Sequence, residues 1–227
     1  MKKSILFLVI ASAALSFTIG INVSAHEPRL VLDDQLVLIK NPEVSQAFYG
    51  ELKNQPAYYL IDLKKAGNLY FQILAPDLPE IKKDKTVTVD YISDLGRSAA
   101  PGAKVEGNFA VVDPGPSVWQ SFYEEYAGDN YFAGPSVKRP AIPGYYIVKI
   151  TSPDNTGKYV LVVGDKEEFS APEMVKALIT IPKLKTKFFN QPVWQSFNGK
   201  IGKYFGLGLA IIIILFYLFH KFRKIYK

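Results

Sequence analysis

The chain has 227 residues, with 27 lysines and arginines against 21 acidic residues, and it contains no cysteine. The lack of cysteine excludes a disulfide framework, a thiolate metal site and a cysteine nucleophile. All acidic residues lie between Glu27 and Glu173, and seven of the bases flank the two apolar ends, so residues 26–202 are nearly neutral. Nucleic-acid binding requires bases clustered on the folded domain, and we therefore expect no nucleic-acid partner.

The N-terminal segment is typical of a secretory signal. Two lysines precede an uncharged stretch at 5–19, and the Val-Ser-Ala triplet at 23–25 suits signal peptidase. These features predict a signal peptide over residues 1–25 and a mature protein that begins at His26. An uncleaved N-terminal anchor is the alternative.

Residues 26–169 have the pattern of an all-β domain. Short runs rich in Val, Ile, Tyr and Phe alternate with turn residues, which predicts an antiparallel β-sandwich of the jelly-roll or immunoglobulin-like kind. The predicted strands are Leu30–Ile39, Ala57–Leu63, Leu69–Ala75, Thr86–Ile92, Asn108–Val112, Tyr145–Thr151 and Tyr159–Gly164. The last two are joined by a loop with Pro, Asp, Asn and Gly, which predicts a hairpin.

The pattern weakens between residues 96 and 143, where six prolines interrupt it. We expect a long irregular excursion there, of the kind that often carries function. Its aromatic residues could bind a protein partner or stack on sugars, with Glu124, Glu125 and Asp129 binding the sugar hydroxyls. The alternative is that these rings cap the core. The candidate binding residues are Trp119, Tyr123, Tyr126 and Tyr131.

The C-terminal part predicts a membrane anchor. Ser170 and Glu173 form a capping-box pattern, and the lysine-rich, acid-free stretch that follows predicts a helical, basic stalk over 170–203, with a solvated linker as the alternative. Residues 204–220 predict a transmembrane helix. Its 16 uncharged residues, 204–219, cover about 24 Å, and flanking residues extend it towards the hydrocarbon thickness. The basic tail, 221–227, is expected in the cytoplasm, which places the β domain outside.

Two strand pairs resemble a known family. The segments 143–150 and 157–164, and likewise 58–63 and 68–74, are similar to the closing and opening strand pairs of the bacterial pre-peptidase C-terminal-like domain. Members are small β-sandwiches appended to exported proteins, and they generally serve as accessory or binding modules. The resemblance implies the fold and a binding role. The long 96–143 excursion departs from the family's usual form.

Catalytic motifs are lacking. The chain has two histidines, His26 and His220, and the sequence contains no Ser-x-x-Lys motif, phosphate-binding loop or dinucleotide fingerprint. A Ser-His-Asp triad in the outer domain would therefore need His26 as its base. We predict that the protein is not an enzyme.

His26 carries an alternative prediction. If it is the mature N-terminus, its amine and imidazole Nδ1 could chelate Cu(II), which favours nitrogen and oxygen ligands. In this respect the chain resembles histidine-brace copper proteins and membrane-anchored YcnI-like proteins, which add a carboxylate and a nearby tryptophan. Here Glu27, Asp33, Asp34 or an acidic residue distant in sequence could supply the carboxylate, and Trp119 the tryptophan. The alternative is an exposed terminus with no bound metal.

Together these patterns predict a membrane-anchored extracytoplasmic binding module without catalytic activity or cofactor. Its partner would be a surface protein or a glycan. Two alternatives stay open: an exported copper-binding protein that uses His26 and Glu27, and a carbohydrate-binding surface module.

Overall fold

The structure is a computed structural model that describes residues 26–32, 36–93, 107–115, 119–168 and 171–225. The predicted signal peptide over 1–25 lies outside the described residues, as do Asp33 and Asp34.

Strands dominate the described residues, and they form two sheets. The first sheet has the order β1-β3-β11-β5-β9-β8 and the second has the order β2-β4-β10-β6-β7. The strands are β1 (Glu27–Leu30), β2 (Val37–Ile39), β3 (Gln46–Lys53), β4 (Ala57–Leu63), β5 (Gly67–Pro76), β6 (Thr86–Ile92), β7 (Gly107–Val112), β8 (Gln120–Glu124), β9 (Asp129–Ala141), β10 (Gly144–Thr151) and β11 (Thr156–Val163).

The main core lies between the two sheets because each strand turns one face inward. In β4 the inward residues are Tyr59, Ile61 and Leu63, and side chains of β5 belong to the same buried cluster. The hydroxyls of Tyr59 and Tyr159 are 2.9 Å apart, so these buried polar groups satisfy each other. The pairing is antiparallel except at β1 and β2, which run parallel to β3 and β4. The predicted all-β sandwich is confirmed.

The predicted hairpin over 145–164 is wrong. Strand β10 pairs with β4 and β6 in the second sheet, whereas β11 pairs with β3 and β5 in the first. The turn at 152–155 therefore carries the chain from one sheet to the other. Its residue types favour a tight reversal, but they do not specify whether the two strands pair or face each other across the core.

The predicted irregular excursion also differs from the structure, because β8 and β9 form within it. Strand β9 is 13 residues long and contains Pro135 and Pro140. Strand β8 pairs only with residues 129–133 of β9. The prolines therefore lie where β9 has no neighbouring strand on the β8 side, and an edge tolerates residues that lack a backbone N–H.

The C-terminal segment adds a third layer. Helix α1 spans Ala171–Lys183 and continues into a π-helical turn at Leu184–Phe188; a 3-10 helix follows at Val193–Phe197, and helix α2 spans Lys200–Ile225. Leu184, Phe188 and Phe189 are buried in a second cluster on the outer face of the first sheet. The segment predicted to be a stalk over 170–203 therefore packs on the sandwich as part of the same domain.

Strand β11 explains how this third layer forms. Tyr159, Leu161 and Val163 belong to the main core, whereas Val160 and Val162 belong to the second cluster on the opposite face. A strand that is buried on both faces reads as a continuous apolar run, and the sequence of β11 has this form.

Within the described ranges, no helix combines the length and the apolarity needed to cross a membrane. The predicted transmembrane helix over 204–220 is thus not supported by the structure.

Candidate binding groove

A groove of about 1010 Å³ opens at one edge of the sandwich. We call this feature the groove. It lies between the two edge strands β1 and β2 and helix α1. Its sandwich side includes Leu30, Leu32, Leu36, Val37, Leu38, Lys40 and Phe48, and its helix side includes Glu173, Lys176, Ile179 and Lys183.

The groove forms because the chain changes sheets at this edge. Strand β1 extends the first sheet and β2 extends the second, and the segment between Leu30 and Val37 connects them. Helix α1 lies against β1, where the Arg29 guanidinium donates to the Glu173 carboxylate at 2.9 Å. The outer edge of β1 is thus covered, whereas among the described strands none pairs with the outer edge of β2.

Several apolar side chains on the walls of the groove are exposed. Leu32, Leu36 and Leu38 are 61%, 57% and 51% exposed, and Ile179 on α1 is exposed as well. Grouped apolar side chains at a concave surface mark binding sites more often than scattered ones do. Each would gain about 25 cal/mol per Å² of apolar surface removed from water.

Charged residues line the same groove. Arg29 pairs with both Glu27 and Glu173, and Lys176 also donates to Glu173 at 2.6 Å. Burial raises the pKa of Glu27, and the nearby Arg29 opposes that rise. Lys40 and Lys183 line the groove too, and no carboxylate among the described residues pairs with either of them. The groove therefore presents two lysines that are available to an acidic ligand.

His26 lies beside this edge, but its imidazole is already engaged. Its Nδ1 atom is 2.5 Å from the Ser45 hydroxyl. Burial lowers the pKa of His26, and the charge of Glu167 opposes this. The Glu27 carboxylate bonds to Arg29. A copper chelate at His26 would require Nδ1 to leave Ser45.

No group of three His, Asp or Glu side chains in the described part of the chain could hold a metal ion. Because Asp33 and Asp34 lie outside the described residues, copper binding at His26 stays an untested prediction.

The four predicted aromatic binding residues do not form one open surface. Tyr126 and Tyr131 are only 5% and 1% exposed, whereas Tyr123 is 49% exposed. Trp119 is partly buried against the main core. Tyr131 also contacts Tyr49, and their hydroxyls are 3.0 Å apart. A stacking platform made of all four rings is thus not present.

The reason is that the C-terminal segment covers residues 124–131, which we call the covered loop. The Lys185 ammonium donates to the Asp129 carboxylate at 2.6 Å, and both side chains are buried. The backbone N–H of Lys200 donates to the Glu125 carbonyl at 2.8 Å. A Cβ placed on Gly199 would be 2.2 Å from the Tyr126 carbonyl oxygen, so only glycine permits this approach.

Glu124 organises the covered loop. Its two carboxylate oxygens accept the backbone N–H groups of Tyr126 and Ala127, each at 2.7 Å. Burial raises the pKa of Glu124 to about 7, and these two N–H donors oppose the rise. Burial also raises the pKa of Asp129, against the effect of Lys185. The carboxylates that were candidates for sugar hydroxyls at 124 and 129 therefore stabilise the loop.

The sequence singled out Glu27, as a candidate copper ligand, but not the apolar residues that line the groove. It predicted one strand over 30–39, and a single strand would turn Leu32, Leu36 and Leu38 to one face of one sheet. In the structure the chain leaves the first sheet after Leu30 and joins the second at Val37. The one available signal was the density of leucines at a position that also carries two consecutive aspartates, which suit a bend more than a strand.

Comparisons with known proteins give structural matches alone. No protein-family model and no curated protein matches the sequence. One similar solved structure is the pre-peptidase C-terminal domain of a collagenase from Bacillus anthracis, at 13% identity and a TM-score of 0.34, covering 59% of this chain and 97% of that one. This is the domain that the strand pairs resemble.

A second similar structure is CorA, described as a surface-associated copper-binding protein important in copper acquisition by Methylomicrobium album BG8. The match has 10% identity and a TM-score of 0.30, and it covers 61% of this chain and all of that one, 100%. At these identities and TM-scores neither match assigns a function. The function of this chain has to be argued from its own groove.

Proposed function

We propose that this protein is a binding module that works outside the cytoplasm, attached to the cell membrane, with the groove as its ligand site. The observation that carries the proposal is the groove itself, whose volume of about 1010 Å³ reaches the upper part of the range for ligand sites.

The chemistry of the groove supports binding without catalysis. Its three carboxylates are all ion-paired: Glu27 and Glu173 with Arg29, and Glu168 with Lys166. The rest of the lining combines leucines and other apolar groups, which contribute free energy by burial, with polar and charged side chains such as those of Lys40, Gln46 and Lys183. Such a surface recognises shape, apolarity and charge.

Membrane attachment is supported by helix α2. Ile211, Ile212, Ile213 and Ile214 are all exposed, although successive residues of a helix point about 100° apart. The apolar side chains thus surround the helix, and a helix that is apolar on all sides favours an apolar environment. Export is supported by the signal-like residues 1–25.

Methyl NMR of the full chain in lipid nanodiscs would test the groove. Three probes would be added in turn: laurate, chitotetraose and the blocked hexapeptide Ac-VEVEVE-NH2. We expect at least one probe to shift the methyl signals of Leu36 and Leu38 while those of the buried Leu69 stay unchanged. In the Leu36→Ser/Leu38→Ser variant, the same probe should no longer shift the methyl signals of Leu30 and Leu32, which also line the groove.

Val111→Ser is the matched control, because Val111 is also exposed but lies on β7, at the opposite edge of the second sheet. It should bind the probe normally. The proposal fails if no probe shifts the groove leucines. If chitotetraose instead perturbs Tyr123 and Trp119, the carbohydrate alternative replaces it.

Carbonate extraction of membranes from cells that express the full chain would test attachment. The wild-type chain should stay in the membrane pellet. The Ile213→Lys/Leu215→Lys variant should move towards the soluble fraction, because two charges would interrupt the apolar surface of α2 and would have to be desolvated on contact with lipid. A wild-type chain that is found in the soluble fraction would rule attachment out.

A further inference from the structure

Strand β2 ends the second sheet beside the groove. Its three residues pair in parallel with Tyr59–Ile61 of β4. In a parallel ladder, alternate residues direct their N–H and C=O groups away from the partner strand. Part of the β2 backbone therefore points into the space beside it, where no described strand lies.

This edge has one of the usual protections against pairing and lacks the others. Natural edge strands are blunted by shortness, charged side chains, prolines or bulges, or are covered by another element, and β2 is short, at three residues. The other edge strand at this side, β1, contains Pro28 and is covered by α1. Strand β2 reads Val-Leu-Ile, and its pairing with β4 has no register shift. Only one of these two edges is thus open to a further strand.

The groove supplies a place for alternating side chains. Ile39 is buried in the main core, and Val37 packs against that core, whereas Leu38 projects outward. A strand added beside β2 would follow the same alternation. One set of its side chains would face Leu30, Val37 and Phe48 on the groove lining, and that set should be apolar.

The charged residues that line the groove determine which side chains suit the second face of the added strand. Lys40 and Lys183 line the groove without a carboxylate partner among the described residues. The acidic residues of the described lining are already paired, Glu27 and Glu173 with Arg29, and Glu168 with Lys166. An acidic side chain on the added strand would be attracted by Lys40 and Lys183, and a basic one would be repelled by them.

We infer that the groove binds an extended polypeptide segment with alternating apolar and acidic side chains, which adds a sixth strand to the second sheet at β2. Main-chain hydrogen bonds to the strand edge would contribute affinity, and the groove would set the side-chain pattern. This inference rests on the proposed function of the groove and names its ligand class.

The test uses the full chain in nanodiscs and three blocked hexapeptides. Ac-VEVEVE-NH2 has the required pattern, Ac-VVVEEE-NH2 has the same composition without alternation, and Ac-VKVKVK-NH2 reverses the charge. We expect the first to bind most tightly in a titration at low salt. Hydrogen exchange of the amides in residues 37–39 should slow when it binds, because new ladder bonds protect them.

Lysine variants would test the charge selection. The Lys40→Gln/Lys183→Gln variant should reduce the gap in affinity, the ratio of the dissociation constants of the basic and acidic peptides, by about three- to tenfold, as expected for the loss of two exposed ion pairs. Lys64→Gln/Lys65→Gln is the matched control, with both lysines on the exposed turn between β4 and β5, and it should leave the gap unchanged.

Two results would overturn the inference. If Ac-VVVEEE-NH2 binds as tightly as Ac-VEVEVE-NH2, or if amide exchange at 37–39 is unaffected, no strand is added at β2. If laurate shifts Leu36 and Leu38 while no peptide binds, the peptide inference fails but the proposed function of the groove stands. If no probe reaches these leucines, both fail.

Discussion

The covered loop and the groove lie on the same sandwich, but another part of the chain packs over the covered loop and leaves the groove open. The covered loop contains Tyr126, Tyr131 and three acidic residues, and the C-terminal segment packs over it through the Lys185–Asp129 pair and the Gly199 contact. The groove has leucines and two lysines that no carboxylate of the described residues pairs with, and no described strand fills it. A cluster of aromatic and acidic residues can therefore be structural, while a set of aliphatic residues forms the open surface.

The difference depends on whether another segment of the chain supplies side chains that cover each region. Aromatic side chains carry a large apolar area, so the free energy gained by covering them is large. The acid-free segment after Glu173 supplies both apolar rings and a lysine for that purpose. On the described helix side of the groove, Ile179 is the one apolar residue that faces these leucines, so much of their apolar surface stays exposed.

The largest expected effect is at the buried ion pair. Lys185→Met should lower the free energy of unfolding by about 3–5 kcal/mol, because it leaves the buried Asp129 carboxylate uncompensated. Adding Asp129→Asn should restore much of the loss by removing that charge. Urea denaturation of the full chain in detergent would measure both.

Lys187→Met is the control for this pair. Lys187 lies in the same turn and is exposed, so its replacement should change the free energy of unfolding by less than about 0.5 kcal/mol. Equal effects of the two methionine variants would mean that the pair does not hold the C-terminal segment on the covered loop.

A second prediction concerns pH. The pKa of Glu124 is raised to about 7 from an ordinary 4.5, so the native state binds a proton that the unfolded state releases. The free energy of unfolding should thus fall as pH rises from about 4.5 to about 7, by an amount on the order of 3 kcal/mol, and then level off.

Glu124→Gln should remove this part of the pH dependence. Urea titrations at pH 5 and pH 8 would measure the change in the free energy of unfolding between the two pH values for the variant and for the wild type. The comparison with the wild type is needed because burial also raises the pKa of Glu27 and lowers that of His26. Those two groups contribute with opposite signs and are present in both proteins. If the free energy of unfolding changed with pH by the same amount in the variant and the wild type, burial of Glu124 would be contradicted.

The glycine contact should have a smaller effect. Gly199→Ala places a Cβ against the Tyr126 carbonyl oxygen, and overpacking of this kind costs about 1–3 kcal/mol. Gly206→Ala is the matched control, because nothing lies within 4 Å of a Cβ at that position and alanine favours a helix. A stable Gly199→Ala variant would show that the segment does not approach the loop closely.

The smallest effect on stability is expected in the groove. Leu36→Ser and Leu38→Ser should each change the free energy of unfolding by less than about 0.5 kcal/mol, because both side chains are largely exposed. The same denaturation assay would measure them. A loss above about 2 kcal/mol would mean that these leucines belong to the core and that the groove is closed in solution.

The sequence predicted those features of the fold that depend on local pattern. Alternation in 57–63 and 86–92 gave the strands β4 and β6 at their observed bounds. The continuous apolar run in β11 indicated a strand, but its second buried face depends on Phe188 and Phe189, which lie about 25 residues later. Pairing across such a distance leaves no periodic signal.

The sites were harder to predict for the same reason. Tyr126 and Tyr131 have the composition of a binding loop, and only the distant Lys185 and Gly199 show that they are covered. The groove depends on a change of sheet between Leu30 and Val37, which local propensities do not encode. Single residues with special chemistry, such as His26, were visible in the sequence, but the engagement of its Nδ1 by Ser45 was not.

Thiol labelling would test the contrast between the two regions most directly, because the chain has no cysteine of its own. Leu38→Cys places a thiol in the groove, and the nearly isosteric Ser196→Cys places one in the C-terminal segment, where Ser196 is buried. Leu38→Cys should react with a thiol reagent nearly as fast as the unfolded chain, and Ser196→Cys at least about 100-fold more slowly, since it requires local opening. Similar rates at the two positions would contradict the account.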